Sequence, residues 1–559
     1  MRSAASGYLR LAVRIGLGLV TFRLLYQSLS PEEFGFWTLL WAGFGYGILL
    51  DFGFGYAAQK RVAELSVHQD WAHLSEVLST ILCVYLLSAA AAALLGLVFA
   101  GPLVDLFNVS PANRETFRIV LQIFVIGIGL AFPLGLFPEI LLGQQRMSTA
   151  YNIATLSIAA NFIAVVLSVW LHLSFITLVI LGLLCVLIPW AIAAWVALRH
   201  MPRVRLSPAL FSRRVMIETT RFSVYAYLSA LGNLVRNKAD PPILSSLLGI
   251  AAVSPYQAGA KIGDMFGMLT RQVADVLSPT AAHLHARGDS EGLRQMLIDG
   301  LRFSVLAATP LYLVIAASMD GLLQLITGDA APSPTMYWTG QLLLLWNYSL
   351  TLTHWVFKRM FFMAGQERRM MWQGVAEALA NVILSIALTW GLRSILGVAL
   401  GSVIPTIAFG WGILWGWAAK EAGVSRWQLL RIIVLPAWKG CLPLITTAAV
   451  LRLQPWWLSQ ASTPVVLAEA GTLAIVGLLG IWKLSLSPAE RKDLAARLAS
   501  RHFIPGLTDP DPATPDSDGA GRAHQDSTNT IPTPVQIAES ATLKAGKPSV
   551  SPSRRTRWK

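Results

Sequence analysis

The chain has 559 residues, of which 55% are hydrophobic and 13% charged, and 44 Lys and Arg against 30 Asp and Glu leave a net charge of +14. Soluble domains carry roughly 25% charged residues, so about half of that charge is missing and the soluble classes are excluded. The basic residues sit in short connections between apolar runs, which is a pattern of membrane orientation and not of a nucleic-acid surface. No nucleic-acid partner is expected.

A bilayer-crossing helix needs about 20 mostly apolar residues. In chain order such runs cover residues 11–28, 34–50, 77–99, 119–137, 151–171, 175–198, 222–248, 252–276, 303–326, 337–362, 375–392, 395–417, 432–451 and 465–484, which predicts fourteen spans. Arg14 interrupts the first run and no Ala-x-Ala-like site follows, so this is a retained span and not a cleaved leader. The second, seventh and eighth runs are the least apolar, because Asp51, Arg236, Lys238, Asp240, Lys261 and Asp264 fall in or beside them. Cys83, Cys185 and Cys441 lie inside runs without CxxC spacing, which predicts neither a disulfide framework nor a zinc site. No metal and no cofactor is expected.

Loop charge tests the count. With the N-terminus in the cytoplasm, the inner connections hold Lys60, Arg61, the cluster from Arg199 to Arg221, and further basic residues up to Lys420, Arg426 and Arg431. The outer connections hold Arg114, Arg118, Arg393 and Arg452. The ratio is roughly 27 to 4, as the positive-inside rule demands, and both termini are then cytoplasmic. The longest outer loop, residues 100–118, is too short for an outer catalytic domain, and no GxxxxGK[ST] phosphate loop occurs. The chain is therefore not expected to be an enzyme. Beyond the last run, residues 487–501 predict a charged amphipathic helix opened by Ser487, Pro488 and Glu490. From Pro505 onward a Pro-, Asp-, Ser-, Thr- and Ala-rich tail cannot bury enough apolar surface to fold, and its basic end at 554–559 can touch anionic lipid.

An internal repeat appears at an offset of about 220 residues. SLSPEEFGFW at 28–37 aligns with LLGIAAVSPY at 247–256, GQQR at 143–146 with GQER at 365–368, and Asn161 and Trp170 with Asn381 and Trp390. Six spans separate the copies, so the halves share one orientation, as in transporters built from parallel repeats. The expected divisions are residues 1–200 (spans 1–6), 201–425 (spans 7–12), 426–485 (spans 13–14) and 486–559 (cytoplasmic segment and tail).

The run LSPEEFGFW at 29–37, LDFGFG at 50–55 with RVA at 61–63, Asp240 with Leu248-Gly249 and YQAGAK at 256–261, and the Gly-Gln-x-Arg turns carry a resemblance. Over about residues 8–420 the chain resembles polysaccharide transporters, the O-antigen and exopolysaccharide flippase branch of the multidrug/oligosaccharidyl-lipid/polysaccharide exporter superfamily. The resemblance implies an all-α integral membrane protein with two parallel six-helix lobes around a central cavity that opens alternately inward and outward. It also implies a bacterial cytoplasmic (inner) membrane location, and a cargo of oligosaccharide on a polyprenyl diphosphate. Ser30 and Ser254 depart from the pattern, standing where glycine is common. Two extra C-terminal spans follow the twelve-helix core; lipid II flippases carry a similar pair that forms a groove for the lipid tail, so that substrate stays open.

Apart from any family, ionisable residues at membrane depth need partners. Each costs about 2.5–3.5 kcal/mol near a helix centre, so Arg14, Arg23, Arg236, Lys238, Lys261 and Lys439 would cost roughly 15–20 kcal/mol if simply added. Arg236 and Asp240 stand at i, i+4 and are expected to pair, while Pro241 and Pro242 should kink or unwind the seventh span beside a wet cavity. Arg14 and Arg23 lie about 180° apart around the first helix, and Arg14 can alternatively snorkel to lipid phosphates. Arg23, Arg236, Lys238, Lys261 and Arg14 are the predicted cationic cavity, suited to a diphosphate. Asp51, Asp240, Asp264, Glu377 and His354 are structural or coupling candidates. His354 titrates near neutral pH and can couple to protons, against the plainer reading of a structural histidine near a helix end.

These residues lead to a secondary transporter that flips a lipid-linked oligosaccharide by alternating access, coupled to H+ or Na+, with membrane lipids and a polysaccharide polymerase or ligase as partners. The rivals are a lipid II-type flippase, a small-molecule exporter and, more remotely, a membrane-bound sugar-transferring enzyme.

Overall fold

The computed structural model describes residues 2–45, 54–329, 332–363, 366–452 and 463–492. Asp51, the predicted disordered tail and all but the start of the predicted 487–501 helix lie outside the described residues. Among the described residues the regular structure is helical, with no strand. That is what apolar runs in lipid require, since a helix satisfies its own amides and carbonyls where no water can.

Among the described residues each predicted span overlaps a helix or two consecutive helices. Among the described residues eight helices are long and apolar enough to cross a membrane, and the pair Arg426–Gly440 and Leu442–Arg452, bent by 41°, makes nine if it is one span. The other five predicted spans are Arg2–Ser28, Pro31–Gly45, Arg213–Lys238 with Asp240–Leu248, Val253–Ala286, and Pro334–Thr353 with Trp355–Met363. All five contribute to the wall of one central cavity. Their weaker apolar signal thus has a physical cause, because one face of each meets polar space.

Helix breaks follow local sequence. Arg213–Lys238 ends just before Ala239, and Pro241 and Pro242 occupy the first turn of Asp240–Leu248. A proline there removes an amide that has no helical partner anyway, so the break in the seventh span falls at Ala239 and the two prolines open the helix that follows. The Ser487–Glu490 capping box forms as expected: Ser487 N donates to Glu490 Oε2 at 2.7 Å and Glu490 N to Ser487 Oγ at 3.3 Å.

Glycines allow close helix contact. Gly259, Gly263 and Gly267 recur on one face of Val253–Ala286 against Pro334–Thr353; a Cβ at Gly259 would lie 2.8 Å from the Gly340 amide nitrogen, and one at Gly263 3.0 Å from the Leu343 carbonyl oxygen. Small residues at this spacing are the usual route to tight packing in lipid, where there is no hydrophobic drive between helices. One apolar core gathers Leu74, Leu78, Leu136, Ile140 and Ala193 from the first half. Another gathers Leu244, Tyr256, Leu343 and Val398 from the second. Val314, Leu444 and Leu473 dock the C-terminal pair onto the ninth span.

The two copies of the repeated turn meet at one end of the bundle, the end predicted to lie outside. Gly35 packs so closely on the Ile250 carbonyl that no Cβ would fit. Asn108 Nδ2 donates to the Ser246 carbonyl at 3.0 Å, and Arg23 Nη1 to the Leu325 carbonyl at 2.6 Å. These contacts tie the first half to the second and shut that end.

Candidate functional site

Between the halves lies a cavity of about 530 Å³, inside the range of small-molecule sites. Gly18, Thr21 and Phe22 of the first helix, Trp37, Thr38 and Trp41 of the second, and Ser157, Asn161 and Cys185 of the fifth and sixth form one side. The break at Asn237–Pro241, then Tyr256, Gln257, Lys261 and Asp264, and finally Trp346 and Asn347 form the other. Among the described residues four ionisable side chains line it, Lys238, Lys261, Asp240 and Asp264. Lys261 Nζ sits 5.5 Å from the centre of the Phe22 ring and within electrostatic reach of Asp264, Lys238 and Arg14.

Two polar atoms on this wall have no hydrogen-bond partner among the described residues, Trp41 Nε1 and Asp240 Oδ1. Leaving a buried donor or acceptor unmet costs roughly 1–3 kcal/mol, so both suit a polar ligand. The other Asp240 oxygen accepts from the Tyr256 hydroxyl. Indole faces beside amides and carboxylates provide stacking area with hydrogen-bonding groups around it.

The predicted site residues separate into two places. Lys238, Lys261, Asp240 and Asp264 line the cavity, and Arg14 stands within reach of Lys261. Arg23 and Arg236 are not on its wall. Arg23 is held by the Leu325 carbonyl. Arg236 turns to Glu377 instead of the expected Asp240, because the break at Ala239 puts the two on different helices. The predicted cationic excess becomes a balance on the described wall, two lysines against two carboxylates, with Arg14 beyond.

Glu377 and His354 meet in a buried cluster inside the second half. The Glu377 carboxylate is 0% exposed and Arg236 3%. Arg236 Nη1 lies 3.2 Å from Glu377 Oε1, Lys358 Nζ 3.4 Å and Gln373 Nε2 2.8 Å from Oε2, and Thr406 Oγ1 3.2 Å from Oε1. His354 Nε2 is 3.1 Å from both oxygens. Trp346 Nε1 donates to Thr406 Oγ1 at 2.9 Å, which joins the cluster to the cavity wall. Glu377 and His354 stand as single candidates in the sequence, and Lys358, Gln373 and Thr406 join them only in the folded chain. The spacing of Gln373 and Glu377 at i, i+4 was a local signal for one of these contacts; the rest come from other helices.

Residues 5–285, just over half of the chain, match the family model described as polysaccharide biosynthesis protein. No curated protein matches the chain. Among solved structures, the lipid II flippase MurJ in an inward closed conformation is 14% identical, with 87% of this chain and 99% of that one covered at a TM-score of 0.67. An inward-facing multidrug resistance MATE family transporter of the MOP superfamily is 15% identical, with coverage of 75% and 99% and a TM-score of 0.60. An outward-facing structure of such a transporter gives 15%, coverage of 76% and 96%, and 0.52. At these identities the likeness concerns the fold.

Proposed function

Because the chain belongs to the polysaccharide biosynthesis protein family, we propose that it is a flippase for polyprenyl-diphosphate-linked oligosaccharide in the bacterial cytoplasmic membrane, with both termini in the cytoplasm. The observation that carries this reading is a polar, charged cavity between the halves of an apolar helical bundle, shut at one end. Lys238 and Lys261, with Arg14 at the entrance, hold the diphosphate; Trp37, Trp41 and Trp346 stack against sugar, and the prenyl tail stays in lipid. Residues 1–200 and 201–425 rock about the cavity. The better likeness to the inward-facing than to the outward-facing MATE structure supports assigning the shut end to the outside.

One observation favours the second reading, a lipid II-type substrate. The likeness to MurJ covers more of the chain than residues 1–425 contain, so it extends into the C-terminal pair. Purified protein in liposomes decides. A polyprenyl-diphosphate oligosaccharide and lipid II, each loaded in one leaflet, are followed by lectin or enzyme accessibility from the other. Movement of either no faster than in protein-free liposomes overturns the flippase assignment. Sugar transfer without leaflet movement would instead assign an enzyme, and efflux of small cations an exporter.

A further inference from the structure

His354 and Glu377 form a fully buried imidazole–carboxylate pair whose contacts fit two protonation states. Thr353 Oγ1 makes two contacts, with the Ser349 carbonyl oxygen at 2.8 Å and with His354 Nδ1 at 2.7 Å. With the hydroxyl hydrogen on the Ser349 carbonyl, the oxygen accepts from Nδ1–H; with the hydrogen turned to Nδ1, a neutral imidazole protonated on Nε2 donates to Glu377 instead. A neutral imidazole protonated on Nδ1 has a bare lone pair on Nε2. That nitrogen lies 3.1 Å from both carboxylate oxygens of Glu377, which are also acceptors. One additional proton turns this opposition into a charge-assisted hydrogen bond. The other groups facing the pair are Arg236 from Arg213–Lys238, Lys358 from Trp355–Met363, Gln373 from Glu377's own helix and Thr406 from Leu396–Phe409. All four donate to the carboxylate, which places the proton on Nε2.

We propose that the His354–Glu377 pair is a proton-binding site and that its loading sets the conformation of the cavity. The proposal rests on the alternating-access reading above. The proton comes from water and returns to water, and no other bond is made or broken. Lys358, in contact with Glu377, is 20% exposed, so the pair lies one side chain from the protein surface. Loss of the proton removes the imidazolium charge from beside the carboxylate and turns the Thr353 hydroxyl from the Ser349 carbonyl to Nδ1, so the contact loosens. Two connections carry that movement to the cavity. Arg236, bonded to Glu377, precedes the wall residues Lys238 and Asp240 by two and four positions across the break at Ala239. Thr406, bonded to Glu377, holds the indole of the wall residue Trp346.

The test uses full-length protein in nanodiscs with Cys83, Cys185 and Cys441 replaced by alanine. Spin labels go on Ala112→Cys and Ala251→Cys, two exposed positions flanking the shut end. Pulsed dipolar spectroscopy then measures the two-state ratio between about pH 5 and 8. A proton bound in one conformation alone changes that ratio by up to about tenfold per pH unit. The labelled parent should show this dependence, and Glu377→Gln and His354→Gln should each flatten it. A flat response in the parent, or a full response in the His354→Gln protein, overturns the proposal, and His354→Gln decides alone if Glu377→Gln does not fold. Liposome transport by the labelled parent at fixed pH is measured separately, so failure of the flippase reading is distinguished from failure of the proton site.

Discussion

Replacing Lys261 with alanine and Asp264 with asparagine perturbs one cavity wall in opposite directions. Both side chains belong to Val253–Ala286, line the same space and lie within electrostatic reach of each other. If a diphosphate binds there, losing the lysine removes a hydrogen bond to a charged group, worth about 1.5–3 kcal/mol. At 1.4 kcal/mol per decade this is about a 10- to 150-fold weaker Kd. Losing the carboxylate removes a repulsion of about 2 kcal/mol for a phosphate about 8 Å away at an effective dielectric constant near 20. Water in the cavity screens part of that, leaving a several-fold tighter Kd. The assay is binding of a fluorescent short-chain polyprenyl diphosphate to protein in nanodiscs. An unchanged Kd for Lys261→Ala, or equal weakening by both variants, refutes the assignment of this wall to a phosphate.

Glu377→Ala removes the carboxylate 3.2 Å from the buried Arg236 and should cost about 3–5 kcal/mol, read as a large drop in Tm; an unchanged Tm contradicts the cluster. Gly259→Leu forces side-chain atoms where a Cβ alone would lie 2.8 Å from the Gly340 amide nitrogen, and should cost about 1–3 kcal/mol. Gly471→Ala, with no atom within 4 Å of its Cβ, should be neutral or slightly stabilising in the same melt. Glu490 lies outside the spans. Burial pushes its carboxyl up, but hydrogen bonds from the Ser487 amide and hydroxyl and from Arg302 outweigh it and hold the group below its usual value. A depressed carboxylate stabilises above its unfolded value and loses that contribution as pH falls through the folded one. Hydrogen exchange at residues 487–492, corrected for intrinsic rates, should therefore accelerate on acidification below about pH 4.5 and, at neutral pH, in Arg302→Ala. Equal protection under all conditions contradicts the staple.

The helices were legible because lipid imposes one rule on every spanning segment, and the apolar runs report it directly. The cavity was legible for the converse reason. Asp240, Lys261 and Asp264 weakened the signal of the seventh and eighth spans, and those residues face the polar space. What the sequence concealed was direction. Arg236 and Asp240 have the spacing of a helical pair, yet a break at one intervening residue, Ala239, sends one to Glu377 and the other to Tyr256. The Glu377 cluster draws on side chains up to 141 positions away in the chain. No periodicity encodes such a meeting, which only the packing of glycine-faced helices creates. Likewise, Asp240 and Asp264, expected as structural or coupling groups apart from the cationic site, share its wall, so the described wall is balanced where an excess was predicted.

The central claim is that substrate crosses when the shut end opens. Cysteines at Asn108→Cys and Ser246→Cys, in a background without native cysteines, bridge the two halves where Asn108 now bonds the Ser246 carbonyl at 3.0 Å. Transport of a polyprenyl-diphosphate oligosaccharide into the opposite leaflet of liposomes should stop on oxidation and return on reduction. Undiminished transport by fully cross-linked protein would contradict the account.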